Sequence, residues 1–149
     1  MWNLRINDRL TAWKDLRHEL SDLPLDQAIT QLNQFWSPAP FVSYYLAPDS
    51  LSNWPDPWTL IAENYYCDIA KALGMLYTIY FTSHKSIDME IRIYYDFNTK
   101  DRYNVLWIDN GKYILNYWPY EIVNTEQIEE KKLQLLYSYT KEDLQLEKY

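Results

Sequence analysis

One stretch constrains the fold of this chain more than any other: ENYYCDIAKALGMLYTIYF, from Glu63 to Phe81. Read as a helix from Tyr65 or Tyr66 to about Thr82, it confines Asp68, Lys71, Thr78 and Thr82 to one narrow strip. Nearly every other position is apolar, and a helix hydrophobic most of the way round belongs in the middle of a domain. Its longest apolar run is broken by Lys71 and is too short to span a bilayer, so the surrounding medium must be protein. Asn64 is the expected N-cap, which puts Cys67 at the third helical position.

The rest of the chain supplies what such a helix needs around it. Ile6, Leu10, Trp13, Leu16 and Leu20 form a one-sided stripe in a helix spanning Leu4 to Leu20. Ala28, Ile29, Leu32 and Phe35 do the same in a second helix from about Leu25 to Trp36, closed by Ser37–Pro40. Residues 41–56 read as an ordered aromatic and proline-rich connection. Asp56-Pro57 has the form of a cap followed by proline at the first helical position, opening the short helix PWTLIAE. After the core helix the period changes. Met89–Tyr95 alternates as a strand, Asp96–Asp101 is a polar turn, and RYNVLWID and KYILNYW flank Asn110-Gly111, a strong hairpin signal. Thr125–Lys132 reads as a short helix capped by Thr125, and Leu133–Thr140 as a fourth strand. The expected fold is therefore α+β in a single domain, 1–149. N-terminal helices and a buried central helix (about 1–82) pack on an antiparallel sheet of three to four strands (about 89–140).

Composition removes several function classes. The net charge of −7 lacks the basic field that nonspecific nucleic-acid binding requires. With 2 glycines there is no glycine-rich phosphate loop, and with 1 cysteine no internal disulfide or multi-cysteine metal site. No cofactor is expected. MWNLRINDRL has neither the apolar segment nor the cleavage site of a secretion signal, so cytoplasmic synthesis and no membrane contact are expected. Asp96, Asn98 and Asp101 space oxygens as a calcium loop does. They lack its central glycine and terminal glutamate, and a polar turn accounts for them, so no metal is expected.

A cysteine nucleophile needs a favoured thiolate, a base, and a group that orients the base. The first turn of a helix favours the thiolate, although Asp68 beside Cys67 opposes it. After such a helix, VLWIDNGKYILN (Val105–Asn116) resembles the meander of the transglutaminase-like branch of papain-like cysteine proteins. The resemblance implies a histidine base two residues before Trp107, a hairpin at Asn110-Gly111, and an orienting acid at Asn116. It spans roughly residues 54–120. The base position falls on Val105, and a two-residue turn pairs Val105 with Asn116 across the hairpin. A one- or two-residue slip would substitute Asn104 or Tyr103, neither of them a base near neutral pH. His18 reads as a surface residue. His84 follows the core helix at the far end from the thiol, roughly 25 Å away at 1.5 Å per residue. No catalytic residue is therefore expected; Cys67, Asn116 and His84 are the candidates should the chain be an enzyme.

Aromatic residues are 17% of the chain, and both faces of the strand Lys112–Trp118 are apolar or aromatic. Tyr and Trp are favoured at protein interfaces, which makes Trp2, Trp36, Tyr44, Tyr45, Trp54, Tyr117, Trp118 and Tyr120 candidates for contact with other proteins. Short, acidic and rich in Tyr and Trp, the chain resembles small virion or assembly proteins of contractile-tailed phages of marine cyanobacteria. That resemblance implies neighbouring subunits as partners and a virion location after synthesis in the host cytoplasm. The expected function is a non-catalytic, protein-binding structural module. The alternatives are a cysteine hydrolase or acyl transferase using Cys67, and a small acidic inhibitor of a host protein.

Overall fold

The central helix, α4, runs from Asp68 to Tyr80, and every residue from Ile69 to Tyr80 is buried. A computed structural model describes residues 1–149. Ahead of α4 come α1 (Ile6–Ser21), α2 (Leu25–Trp36) and α3 (Pro57–Glu63). Behind it come β1 (Met89–Asp96), β2 (Asp101–Ile108), β3 (Tyr113–Leu115), α5 (Thr125–Glu130) and β4 (Gln134–Thr140). The four strands form one antiparallel sheet in the order β3-β2-β1-β4. This is the α+β arrangement expected.

Local signals explain most boundaries. Pro24 directly precedes α2, which spans Leu25–Trp36 as expected. Asp56 caps α3 by accepting from the Thr59 amide at 2.8 Å, with Pro57 in the first turn. Arg9 of α1, itself buried, donates to the carbonyls of Ile61 (3.3 Å) and Ala62 (3.1 Å), orphan acceptors of the last turn of α3.

Three boundaries differ from the sequence expectation. Asn64 is not the cap of α4. It ends α3 in the left-handed region (φ 58°), and its Nδ2 donates to the Trp2 carbonyl at 2.8 Å. The core helix therefore starts later, and Cys67 is its N-cap rather than its third residue. β3 stops at Leu115 instead of reaching Trp118, because Asn116 takes φ 70° and breaks the strand. α5 is capped by Asn124, which forms a capping box with Gln127; the Thr125 hydroxyl donates instead to the Gly111 carbonyl at 2.9 Å.

The sheet has two covered faces. Ile91, Ile93, Leu106, Ile108 and Leu115 meet α4 in the main core. Tyr94, Val105, Trp107, Ile114 and Tyr117 form a second, smaller cluster under Val123 and, from α5, Ile128. Double coverage explains the absence of a polar face on these strands. Inside the main core, the Thr78 hydroxyl accepts from the indole N–H of Trp13 (2.9 Å) and of Trp36 (3.0 Å) while donating to the Gly74 carbonyl.

Candidate functional site

The amino end of α4 carries a thiol on one side and, on the side facing the sheet, two carboxamides and a lysine that share a cavity. Cys67 is buried, and its Sγ accepts from the Leu46 amide at 3.4 Å, so the thiol is turned toward the 41–56 connection. That connection is held in place by pairing between residues 40–42 and Tyr66, with Val42 N–H donating to Tyr66 O and Tyr66 N–H to Pro40 O, both at 3.0 Å.

Asn116 sits opposite on the hairpin. Its Nδ2 donates to the carbonyls of Asp68 and Asn104, each at 2.9 Å, which ties β2 to the first residue of α4. Carbonyls only accept, so the amide orientation is determined and its oxygen faces away from them. The hairpin register agrees with the expected one: Leu106 pairs with Leu115 and Ile108 with Tyr113, although the ladder ends before Asn116.

Val105 does not face α4. Strand alternation turns Leu106 and Ile108 toward α4, which sends Val105 and Trp107 to the opposite face and into the second cluster. The residue on the helix side at this level is Asn104, buried and sharing a cavity of about 300 Å³ with Asp68, Lys71, Asn116 and Trp118. Its Oδ1 is buried without a partner. A carboxamide takes no proton near neutral pH. Lys71 is buried beside it, donating to the Ser37 carbonyl at 3.1 Å. Burial pushes the Lys71 ammonium below the ordinary lysine range, with Asp68 opposing.

Neither histidine is near the thiol. His18 is exposed on α1. His84 lies beyond the carboxyl end of α4, with Nε2 at 3.1 Å from the Leu20 carbonyl and 2.9 Å from that of Leu23. Two carbonyl partners require a proton on Nε2, so this ring is a tie between α1 and the end of the core helix. At 1.5 Å per residue α4 holds the two ends roughly 20 Å apart. Asp96 Oδ1 accepts from the amides of Asn98 (2.9 Å) and Thr99 (3.3 Å), closing its own turn. No group of three or more His, Cys, Asp or Glu side chains is placed to hold a metal ion, and no helix is long and apolar enough to cross a membrane.

The aromatic candidates separate by burial. Trp36 is fully buried, edge-on to Trp2 and Tyr66, and cannot meet a partner. Tyr117 is also buried, because Asn116 rotates it away from Leu115 and against Tyr103 and Ile114. Trp2, Tyr45 and Trp54 are half-buried, Trp54 donating to the Ala47 carbonyl at 2.8 Å. Tyr44, Trp118 and Tyr120 are exposed at 73%, 51% and 60%. Phe41 and Tyr65, exposed at 60% and 40%, lie outside that candidate set and adjoin Tyr66 and Cys67. Tyr65 escapes sequence reasoning because it reads as the first residue of the buried core helix, whereas that helix begins only at Asp68.

This arrangement of helices on an antiparallel sheet is also found among solved structures. LapG of Legionella pneumophila superposes with a TM-score of 0.72 in its EGTA-treated form, at 17% identity over 91% of this chain and 74% of that one. The calcium-bound form gives 0.71 at 17% identity over 92% and 77%. LapG has a transglutaminase-like cysteine-protease fold. The fold of this chain is transglutaminase-like. No protein-family model and no curated protein matches the sequence.

Proposed function

We propose that this chain is a non-catalytic protein-binding module built on a transglutaminase-like scaffold. One observation carries the reading: the strand position that faces the head of α4 holds Asn104, not an imidazole. A cysteine hydrolase or acyl transferase must deprotonate its thiol and protonate its leaving group. Cys67, Asn104 and Asn116 contain no group for either step, and Asn116 spends its amide protons on backbone carbonyls.

Binding is supported by the surface around the same end of α4. Phe41, Tyr44, Tyr65, Trp118 and Tyr120 are exposed there, and Tyr120 is anchored through its amide to the Ser37 hydroxyl at 3.1 Å. Aromatic side chains of this kind form the centres of protein interfaces. The net charge of −7 favours a partner with a basic face. A virion or assembly role among other subunits is the form of this reading that the acidic, Tyr- and Trp-rich composition suggests.

A photo-crosslinking residue at Tyr44 or Trp118 tests this. The expected result is one dominant protein adduct, recovered from purified particles if the chain is phage-encoded. The same probe at Phe97, exposed on the β1–β2 turn, should give none. Equal labelling from all three positions, or none, would remove the reading. An adduct with a host enzyme would assign the inhibitor role instead.

A further inference from the structure

β4 is an edge strand, and its only sheet neighbour is β1. Its sequence, QLLYSYT, carries no charge and no proline, in a chain of which 23% of residues are charged. Soluble monomers blunt such edges with lysine, proline, short length or a bulge. The single interruption here is a bulge: Ile93 pairs with Tyr137 and Tyr94 with Leu135, leaving Leu136 outside the ladder. Leu135 and Leu136 remain exposed. The opposite edge is closed differently, since β3 has only 3 residues and Ile114 exchanges backbone hydrogen bonds with Val123 at 2.8 and 3.0 Å.

The charges lie just past the two ends of β4 and differ in sign. Exposed Lys131 and Lys132 precede it; after it comes Lys141, whose ammonium is taken up within the chain by the carbonyls of Lys85 and Ile87 (both 3.0 Å), and then exposed Glu142 and Asp143. Along the chain, Tyr137 is equidistant from Lys132 and Glu142, and again from Lys131 and Asp143. We infer that a second copy of this chain pairs along β4, antiparallel about a two-fold axis at Tyr137, joining the two sheets into one. In that register the turns that flank the two copies of β4 meet, bringing Lys131 and Lys132 of one copy beside the acidic turn at 142–143 of the other, and the contact occurs twice by symmetry. A parallel alignment would set lysine on lysine and acid on acid. Antiparallel addition also continues the alternation of β2, β1 and β4, and it covers Leu135 and Leu136 without burying a charge.

Sedimentation velocity of the full chain, from micromolar to about 100 µM, tests the inference. The expected species is a dimer of the 18.1 kDa chain. Leu136→Lys should be monomeric over that range with an unchanged circular dichroism spectrum. Lys132→Glu should weaken the dimer about three- to tenfold, and adding Glu142→Lys on the same chain should restore it. A wild-type monomer throughout, a dimer untouched by Leu136→Lys, or a charge swap no tighter than Lys132→Glu alone would overturn it. If Leu136→Lys unfolds the chain, the exposed charge-swap pair decides alone. The aromatic surface at the head of α4 shares no residue with this edge, so either reading can fail without the other.

Discussion

Thr78 is a single hydroxyl that serves two tryptophans. Buried on the strip of α4 that the sequence marks as polar, it is the acceptor for both Trp13 and Trp36. Thr78→Val keeps the shape and strands two buried indole donors, so it should destabilise the fold by about 2–4 kcal/mol, measured by urea unfolding. One turn earlier, the Trp36 ring lies where a Cβ on Gly74 would sit, with its Cη2, Cζ3 and Cζ2 atoms nearest. Gly74→Ala must displace that ring and should cost about 1–3 kcal/mol in the same assay. A polar strip on a buried helix is legible in the sequence. Which distant side chains need it is not, because Trp13 and Trp36 come from helices that only tertiary packing brings together. Val105 shows the same limit. Counting back from Trp107 leads to Val105, and only the sheet reveals that both point away from the helix.

At the scale of elements, the β2–β3 hairpin and the start of α5 are one mechanical unit. Gly111 has φ 83°, and a Cβ there would overlap the Thr125 hydroxyl and the Trp107 indole. Its carbonyl accepts from both the Thr125 amide (3.0 Å) and the Thr125 hydroxyl (2.9 Å). Gly111→Ala should therefore loosen the hairpin and α5 together, costing about 1–3 kcal/mol, and hydrogen exchange should rise in both. α2 and α3 are readable from sequence almost to the residue, since proline and Asp56 act within a turn of where they stand. The start of α4 is not, for a tertiary reason. Asn64 has the look of a cap for the core helix, yet closing α3 and bonding to Trp2 uses it up. β3 has three residues where alternation suggests seven, because a left-handed Asn116 is invisible to a pattern that counts only polarity.

Over the whole molecule, packing on tyrosine sets how the fold responds to alkali. Tyr66, Tyr77 and Tyr94 are held above the ordinary tyrosine value of 10.0, chiefly because burial disfavours the phenolate. As pH rises through 10, these groups ionise in the unfolded chain while remaining protonated in the native one. The folded state then binds more protons, and stability falls with pH. Lys71, held below its ordinary value, works in the opposite direction as a single group and does not reverse the trend. Circular dichroism should accordingly be lost above pH 10 in step with a rise in absorbance at 295 nm. Tyrosine ionisation completed with the fold intact would contradict it. The same sealed interior underlies the functional reading, since Cys67 sits behind the 41–56 connection with its sulfur occupied by the Leu46 amide. Iodoacetamide labelling of the native chain, with the intact mass then measured, is the direct test. Almost no adduct is expected at pH 7 until denaturant is added, then complete labelling. Rapid, stoichiometric modification of the folded protein would mean an accessible, activated thiol and would contradict a scaffold without catalysis.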